Sequence, residues 1–93
     1  MSFALKVQSE AIIDIQEGFE WYEMQKEGLG FEFIEEIENG FEKICNQPQF
    51  YTSISPTFRR FKIERFPYLI VYEIEDNAVI VNSVRHGSQK PNL

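Results

Sequence analysis

Basic side chains are concentrated in one stretch of this chain. Four cationic residues fall within seven positions, and the only histidine follows an arginine close to the C-terminus. Guanidinium and ammonium groups bind phosphates and carboxylates, and histidine titrates near neutral pH without any shift. The set therefore offers two kinds of chemistry, namely binding of an anionic partner and acid–base catalysis. Its members are Arg59, Arg60, Lys62, Arg65, Arg85 and His86.

Charge is divided unevenly along the chain. Residues 1–50 carry three basic and eleven acidic side chains, a net charge of −8, whereas residues 51–93 carry a net charge of +2. This asymmetry predicts two electrically different surfaces, one of which meets an anionic partner. The overall charge of −6 favours solubility and argues against a general coat of nucleic acid on the protein.

Length and composition predict a single soluble domain that spans residues 1–93, with residues 87–93 as a flexible tail. The hydrophobic fraction of 43% is enough for a packed core. Since Cys45 is the only cysteine, an internal disulfide is excluded and a cytoplasmic protein is expected. The first residues lack the pattern of a signal peptide and no apolar run is long enough to span a membrane, so we expect no membrane contact.

Metal and cofactor sites are not expected. The single histidine and the single cysteine have no further His or Cys to complete a metal site, and neither a glycine-rich phosphate loop nor a Ser-His-Asp arrangement is present. The many carboxylates fall mainly at exposed helical positions, which is typical of a solvated face. Chemistry is therefore left to the cationic residues and to His86.

Hydrophobic periodicity predicts one short strand followed by two helices. Residues 3–7 alternate as a strand does, and Ser9 is placed to cap the first helix. Gly28 and Gly30 separate this helix from the second one, which ends before Pro48. Asp14, Glu17, Glu20 and Lys26 are expected to face water. The apolar stripes predicted to be buried are Ile12, Ile15, Phe19 and Tyr22 on the first helix, and Phe33, Ile34, Ile37, Phe41 and Ile44 on the second.

Three strands follow, at residues 58–66, 68–75 and 78–85, after a loop with room for a short extended piece. The order β-α-α-β-β-β predicts an α+β domain in which an antiparallel sheet carries both helices on one face. Arg60 and Lys62 fall on the opposite face, which is left partly free. The strand residues predicted to meet the helices are Ile63, Ile70, Tyr72, Val79 and Val81.

Several short motifs occur in sequence along these elements. They are Ala11 to Ile15 and Tyr22 in the first helix, then Gly30, Phe33, Ile37, Ile44 and Pro48, then Arg60, Phe66-Pro67-Tyr68 and Val71-Tyr72, and finally Val84, His86 and Pro91. In this order and spacing they resemble the RelE/ParE superfamily of bacterial toxins from type II toxin–antitoxin modules. The Phe-Pro-Tyr segment and the terminal histidine are more similar to the ParE, or plasmid-stabilisation, branch than to the RelE branch.

The resemblance implies a small toxin that a cognate antitoxin holds inactive. Both a homodimer and a toxin–antitoxin hetero-oligomer are compatible with it. The ParE branch implies inhibition of growth by binding to DNA gyrase, and this is the leading hypothesis. The RelE branch implies a ribosome-dependent endoribonuclease that cuts mRNA. A third hypothesis is a degenerate, non-toxic member that persists as a binding module.

RNA cleavage of the RelE type needs a base, an acid and cations that stabilise the phosphate in the transition state. The competing interpretation of His86 is that it ends its strand and hydrogen-bonds to the backbone. The tail differs from the family, because it has no tyrosine and carries Gln89 and Lys90 where an arginine and an acid are frequent. The catalytic residues of a nuclease would be His86, Arg60, Lys62 and Arg85.

In the leading hypothesis the cations bind a partner and catalyse nothing. That partner is a gyrase surface, the carboxylates of an antitoxin, or the phosphates of RNA. Contacts to phosphate would predict a steep loss of affinity with rising salt concentration. The competing interpretation is that the charges only solvate an open sheet face. The predicted partner-binding residues are Arg59, Arg60, Lys62 and Arg65, together with Trp21 on the first helix.

Overall fold

The computed structural model describes residues 3–87. The predicted α+β class and the order of its elements are confirmed, with a short additional strand in the loop where an extended piece was expected. Of the predicted tail, only Gly87 belongs to the described residues, and positions 88–93 with the tail motif lie outside them. The elements are β1 (Ala4–Val7), α1 (Ser9–Gln25), α2 (Leu29–Asn46), β2 (Thr52–Ser53), β3 (Phe58–Lys62), β4 (Tyr68–Glu75) and β5 (Ala78–His86).

The five strands form one sheet in the order β1-β5-β4-β3-β2. β1 runs parallel to β5, whereas the other neighbouring strands are antiparallel. The prediction of an antiparallel sheet is therefore wrong for the edge formed by β1. Parallel neighbours need a long crossover connection, and the pair of helices after β1 is part of that connection.

Both helices pack on the same face of the sheet, as predicted, and the core lies between the two layers. Ile15 and Phe41 are partly buried against this core. Along β3 and β4, residues that face the helices alternate with residues on the face that the helices leave uncovered. The predicted core residues that are fully buried are Phe33, Ile37, Ile44, Ile63, Ile70, Tyr72, Val79 and Val81.

Helix α1 meets the rest of the protein through its smallest residues. Ala11 and Gly18 are its buried positions. A methyl group added to Gly18 would lie 2.7 Å from the Phe33 ring, so this ring packs directly against the backbone of α1. Two larger side chains of the same helix, Ile15 and Tyr22, are partly buried against the core, whereas others are exposed. Ile12 is 54% exposed, and its prediction as a core residue is wrong.

Two predicted boundaries also move. Gln8 is the N-cap of α1 and makes no side-chain capping bond, so the predicted cap at Ser9 is wrong. Strand β3 ends at Lys62, earlier than predicted. Beyond it Arg65 has a φ of 70°, in the left-handed region, which an extended strand cannot contain.

The turn between α1 and α2 is held by one carboxylate. Glu23 accepts hydrogen bonds from the N–H of Gly28 at 3.0 Å and from the N–H of Gly30 at 2.8 Å. Gly28 has a φ of 90°, which glycine adopts without strain. The first N–H groups of a helix have no partner within the helix and carry partial positive charge. Glu23 therefore acts as the N-terminal cap of α2 from the preceding helix.

We expect the substitution Glu23→Ala to lower the free energy of unfolding by about 1–2 kcal/mol, the usual cost of losing a helix cap. Glu20→Ala is the matched control, because Glu20 is an exposed carboxylate on the same helix without these bonds. Urea denaturation followed by circular dichroism measures both. Equal losses in the two variants would contradict the capping role of Glu23.

Candidate functional site

The sheet face that points away from the helices, here called the free sheet face, brings together three of the predicted site cations. Paired residues on neighbouring strands point to the same side of a sheet. Lys62 pairs with Leu69, which pairs with Arg85. Arg60 lies two residues before Lys62 on β3 and pairs with Val71. We call Arg60, Lys62 and Arg85 the cationic patch.

The cationic patch surrounds an apolar floor. The spacing of strands puts the backbones of Lys62 and Arg85 roughly 10 Å apart, and two residues along a strand span about 7 Å. Leu69 and Val71 lie between the cations and are half-buried. An open cavity of about 590 Å³ on this face is bordered by Arg60, Arg85 and both floor residues. The face can therefore offer charge and apolar contact at once.

No member of the cationic patch takes part in an ion pair within residues 3–87. All three cations are exposed. The Arg85 Nε donates a hydrogen bond to the Ser83 Oγ at 3.3 Å, which orients that guanidinium on the free sheet face. Glu10, at the start of α1, borders the same cavity. The charges of the patch remain available to an anionic partner.

Strand β5 is irregular where it passes α1. The pairing of β4 with β5 shifts between Val71 and Tyr72, which leaves Asn82 as an extra residue. The Asp14 carboxylate accepts a hydrogen bond from the backbone N–H of Val84 at 2.9 Å. The prediction that Asp14 faces water is therefore wrong. Val84 lies beyond the residues of β5 that pair with β1, and its N–H donates to a side-chain acceptor instead. The bond fixes the last residues of β5, which carry part of the cationic patch.

The ring of His86 packs on the other side of the sheet. His86 pairs with Tyr68, and the two rings meet edge to face with their centroids 5.2 Å apart. The Tyr68 ring also contacts Tyr22 and Phe33 of the helices, so it belongs to the covered face. Burial raises the pKa of Tyr68. His86 borders the free-face cavity because it is the last residue of β5, but its ring is directed away from the cationic patch.

Arg59 also points to the covered side of the sheet, where it holds a loop. Its Nη1 donates hydrogen bonds to the carbonyl oxygens of Gln49 at 3.2 Å and of Tyr51 at 2.7 Å. Next to it, the Tyr72 hydroxyl donates to the carbonyl oxygen of Pro48 at 2.5 Å. Successive residues of a strand face opposite sides, so the hypothesis of one cationic surface fails for Arg59.

Arg65 lies in the turn between β3 and β4 and is paired with α2. Its guanidinium donates a hydrogen bond to Glu32 and lies 3.8 Å from the Glu36 carboxylate. The hydrogen bond from Arg65 lowers the pKa of Glu32. Arg65 is thus also separate from the cationic patch. Contact of either Arg59 or Arg65 with a partner stays a prediction.

Trp21 is 58% exposed on α1 and therefore lies in the helical layer, away from the cationic patch. Its contact with a partner also stays a prediction. Sequence reasoning missed Leu69 and Val71 as site residues. Their signal was present, because they alternate with buried Ile70 and Tyr72 and must face the opposite side of β4.

Metal ligands do not assemble within residues 3–87, where no three His, Cys, Asp or Glu side chains lie close enough together to hold an ion. In the same range no helix has the length and apolarity needed to cross a membrane. The features that remain to be explained are the cationic patch and the exposed residues of α1.

The family model described as "ParE toxin of type II toxin-antitoxin system, parDE" matches residues 5–91. The chain belongs to the ParE toxin family. The match covers both helices and the three long strands, and it confirms the predicted membership of the RelE/ParE superfamily. Among curated protein sequences no significant match is found.

Solved structures of toxin–antitoxin proteins share the fold of this ParE-family chain. The chromosomal ParDE system from P. aeruginosa superposes with a TM-score of 0.81 at 15% identity, over 91% of this chain and 96% of that chain. The isolated E. coli RelE toxin gives 0.71 at 17% identity, over 96% and 88%. The intact E. coli RelBE complex gives 0.70 at 17% identity, over 95% and 100%. At these identities the likeness concerns the fold alone.

The bond between Tyr72 and Pro48 predicts a loss of stability at high pH. Burial raises the pKa of Tyr72 to about 12. An unfolded tyrosine ionises near pH ~10, so the stabilisation is complete below that pH and is lost as the pH rises through about 12. We expect Tyr72→Phe to cost about 1 kcal/mol at neutral pH and to reduce the alkaline loss. Urea denaturation across this range measures both effects.

Tyr51→Phe is the control for this prediction, because it also removes a phenol hydroxyl but leaves the bond to Pro48 in place. The control should keep most of the alkaline loss of the unsubstituted protein, because burial is the main cause of the raised pKa of Tyr72 and Tyr51 adds to it less. If Tyr72→Phe loses as much stability as the control between these pH values, the raised pKa of Tyr72 is not the cause.

Proposed function

We propose that this chain is a ParE-like toxin that inhibits growth by binding DNA gyrase and that a cognate antitoxin neutralises it. Membership of the ParE toxin family supports the toxin role. The similarity to a chromosomal ParDE system supports an antitoxin as the stable partner. The proposed contact surface is the cationic patch with its apolar floor.

The observation that favours binding over catalysis is the separation of His86 from the cations. Arg60, Lys62 and Arg85 lie on the free sheet face. The His86 ring packs on Tyr68 at the covered face, 5.2 Å between centroids. A general acid or base must be within hydrogen-bond reach of the group that it serves. A phosphate held by the patch would lie on the wrong side of the sheet for this imidazole.

The cationic patch is suited to a protein surface that carries both carboxylates and apolar groups. Unpaired cations accelerate encounter and favour partners of the opposite charge. Leu69 and Val71 add apolar area, which is the part of an interface that gains most from exclusion of water. Arg59 and Arg65 are left out of this surface because they are occupied by bonds within the chain.

The antitoxin is proposed to cover the free sheet face and the groove beside the helices. Strands β1 and β2 are the two edges of the sheet, and an extended segment of the antitoxin can add backbone hydrogen bonds to either edge. The similar E. coli RelBE structure is a toxin–antitoxin complex, which supports a hetero-oligomer of this kind. Covering the cationic patch would then block access of the target.

A RelE-like endoribonuclease that depends on the ribosome is the second candidate. The cavity on the free sheet face is bordered by Arg60, Arg85 and His86 together. These are three of the four residues that the catalytic hypothesis names. A rotation of the His86 side chain around the end of β5 would be needed to bring its imidazole to a phosphate there.

Expression of the chain without its antitoxin tests these proposals. We expect inhibition of gyrase supercoiling that survives His86→Ala, because the imidazole takes no part in binding. Each of the single substitutions Arg60→Gln, Lys62→Gln and Arg85→Gln should weaken inhibition roughly tenfold, the effect of losing one charged contact in an interface. Lys26→Gln is the matched control, since it removes one exposed cation in the helical layer.

Cleavage of mRNA in the same cells tests the second candidate, the ribosome-dependent endoribonuclease. Codon-phased cuts in translated mRNA that disappear with His86→Ala would support the nuclease and overturn the gyrase proposal. Absence of both activities would support the non-toxic binding module. If Lys26→Gln weakens the inhibition of supercoiling as much as the three patch substitutions do, the cationic patch is not the contact surface.

A further inference from the structure

Large apolar side chains are exposed on the outer face of α1. We define this outer face by the residues Ile13, Glu17, Glu20, Trp21 and Met24. Steps of three or four residues connect them, so they lie on the same side of the helix. Ile13 is 55%, Trp21 58% and Met24 82% exposed. With Ile12, α1 contributes four of the eight exposed large hydrophobic residues within residues 3–87. Exposed apolar residues that are grouped on one surface are typical of interaction sites.

The packing of the domain gives these side chains no contact in the core. The buried side of α1 is formed by Ala11 and Gly18, with the Phe33 ring against the Gly18 backbone. The opposite side of the helix must then face outward. The long apolar residues at these positions therefore do not serve the core.

The charge of the outer face restricts what can cover it. Helix α1 contains five acidic residues and no lysine, arginine or histidine. Asp14 and Glu23 are used in bonds to the backbone, whereas Glu17 and Glu20 lie between the exposed apolar residues. The ion pairs within residues 3–87 involve no carboxylate of α1. An unpaired negative charge therefore accompanies the apolar surface.

We propose that the outer face of α1 is a docking surface for an amphipathic, positively charged helix of a protein partner. A second copy of the chain, packed helix to helix, would bring two sets of carboxylates together, which costs energy. Anionic lipid is repelled for the same reason. Lysines and arginines of a partner helix would instead pair with Glu17 and Glu20, while its apolar side covers Ile13, Trp21 and Met24.

The dimensions and the residue types suit a helix. The 17 residues of α1 extend over about 25 Å, which matches a partner helix of four to five turns. Trp21 and Met24 lie on adjacent turns, where a tryptophan gives the large rigid contact area typical of binding hot spots. Met24 adapts its shape to the side chains that it meets.

This surface lies in the helical layer, and the cationic patch lies on the opposite face of the sheet. The two surfaces can be occupied at the same time. The docking surface does not depend on whether the target of the toxin is gyrase or the ribosome. Loss of gyrase inhibition would leave the docking surface intact, and failure to bind a cationic helix would leave the proposed toxin activity untouched.

Trp21 is the only tryptophan of the chain and reports on the outer face directly. The probe is a synthetic 18-residue amphipathic peptide of leucine and lysine, compared with a peptide that has glutamate at every lysine position. We expect the lysine peptide to shift the Trp21 emission to shorter wavelength and the glutamate peptide to leave it unchanged. The double substitution Glu17→Gln and Glu20→Gln should weaken binding of the lysine peptide roughly tenfold.

The matched control for charge is the double substitution Glu75→Gln and Asp76→Asn, at the end of β4 and in the turn that follows, which removes two negative charges elsewhere. It should change the affinity by less than about threefold. Met24→Ser tests the apolar contact and should also weaken binding, whereas Phe50→Ser, at another strongly exposed residue in a loop, should not. Circular dichroism of each variant verifies that the fold is retained.

Several outcomes would overturn the proposal. Equal weakening by the two charge variants would show that only the net charge attracts the peptide. Equal binding of both peptides would exclude charge complementarity. A shift of Trp21 emission that depends on protein concentration alone would make a second copy the occupant. A shift of the same size with phosphatidylserine vesicles would make a lipid surface the occupant.

Discussion

The alternation of side chains along β3, β4 and β5 is the constraint on which the functional surfaces depend. Because the two helices cover one side of the sheet, the strands bury Phe61, Ile70 and Val84 on that side. The residues between them then face outward in a fixed register. That register puts Lys62, Leu69 and Arg85 in one row and divides the cationic stretch of the sequence in two. A shift by one residue would exchange the two sides and bury the charges.

The cations on the covered side serve the fold itself. Arg59 holds the loop before β3 through two carbonyl oxygens, and Arg65 pairs with the acidic side of α2. Carboxylates act in the same way, since Asp14 fixes the end of β5 and Glu23 caps α2. Each of these charged groups satisfies backbone or ionic partners that the secondary structure leaves open. Among residues 3–87, the free sheet face and the outer face of α1 carry charges without an ion pair, and these charges can meet other molecules.

Much of the fold was predictable because the periodicity of apolar residues reflects which side is covered. Both helices, the strand at Tyr68–Glu75 and eight of the buried core residues follow from this pattern. The prediction fails where a small residue replaces a large one at the contact. Gly18 admits the Phe33 ring against α1, so the helix turns Ile12 outward although its spacing suits burial. The parallel pairing of β1 with β5 was also beyond local patterns, since it depends on how two distant segments meet.

The sequence by itself determined the α+β class, the ParE family and the presence of an acidic part and a basic part, because these depend on composition, periodicity and the order of motifs. Only the tertiary structure decided which charges share a surface. Neighbours such as Arg59 and Arg60 are directed to opposite sides by the pleat, whereas Lys62 and Arg85 are brought together by strand pairing across the sheet. Long-range pairing and helix packing select one side for each residue, and this selection is not encoded in any short stretch of the chain.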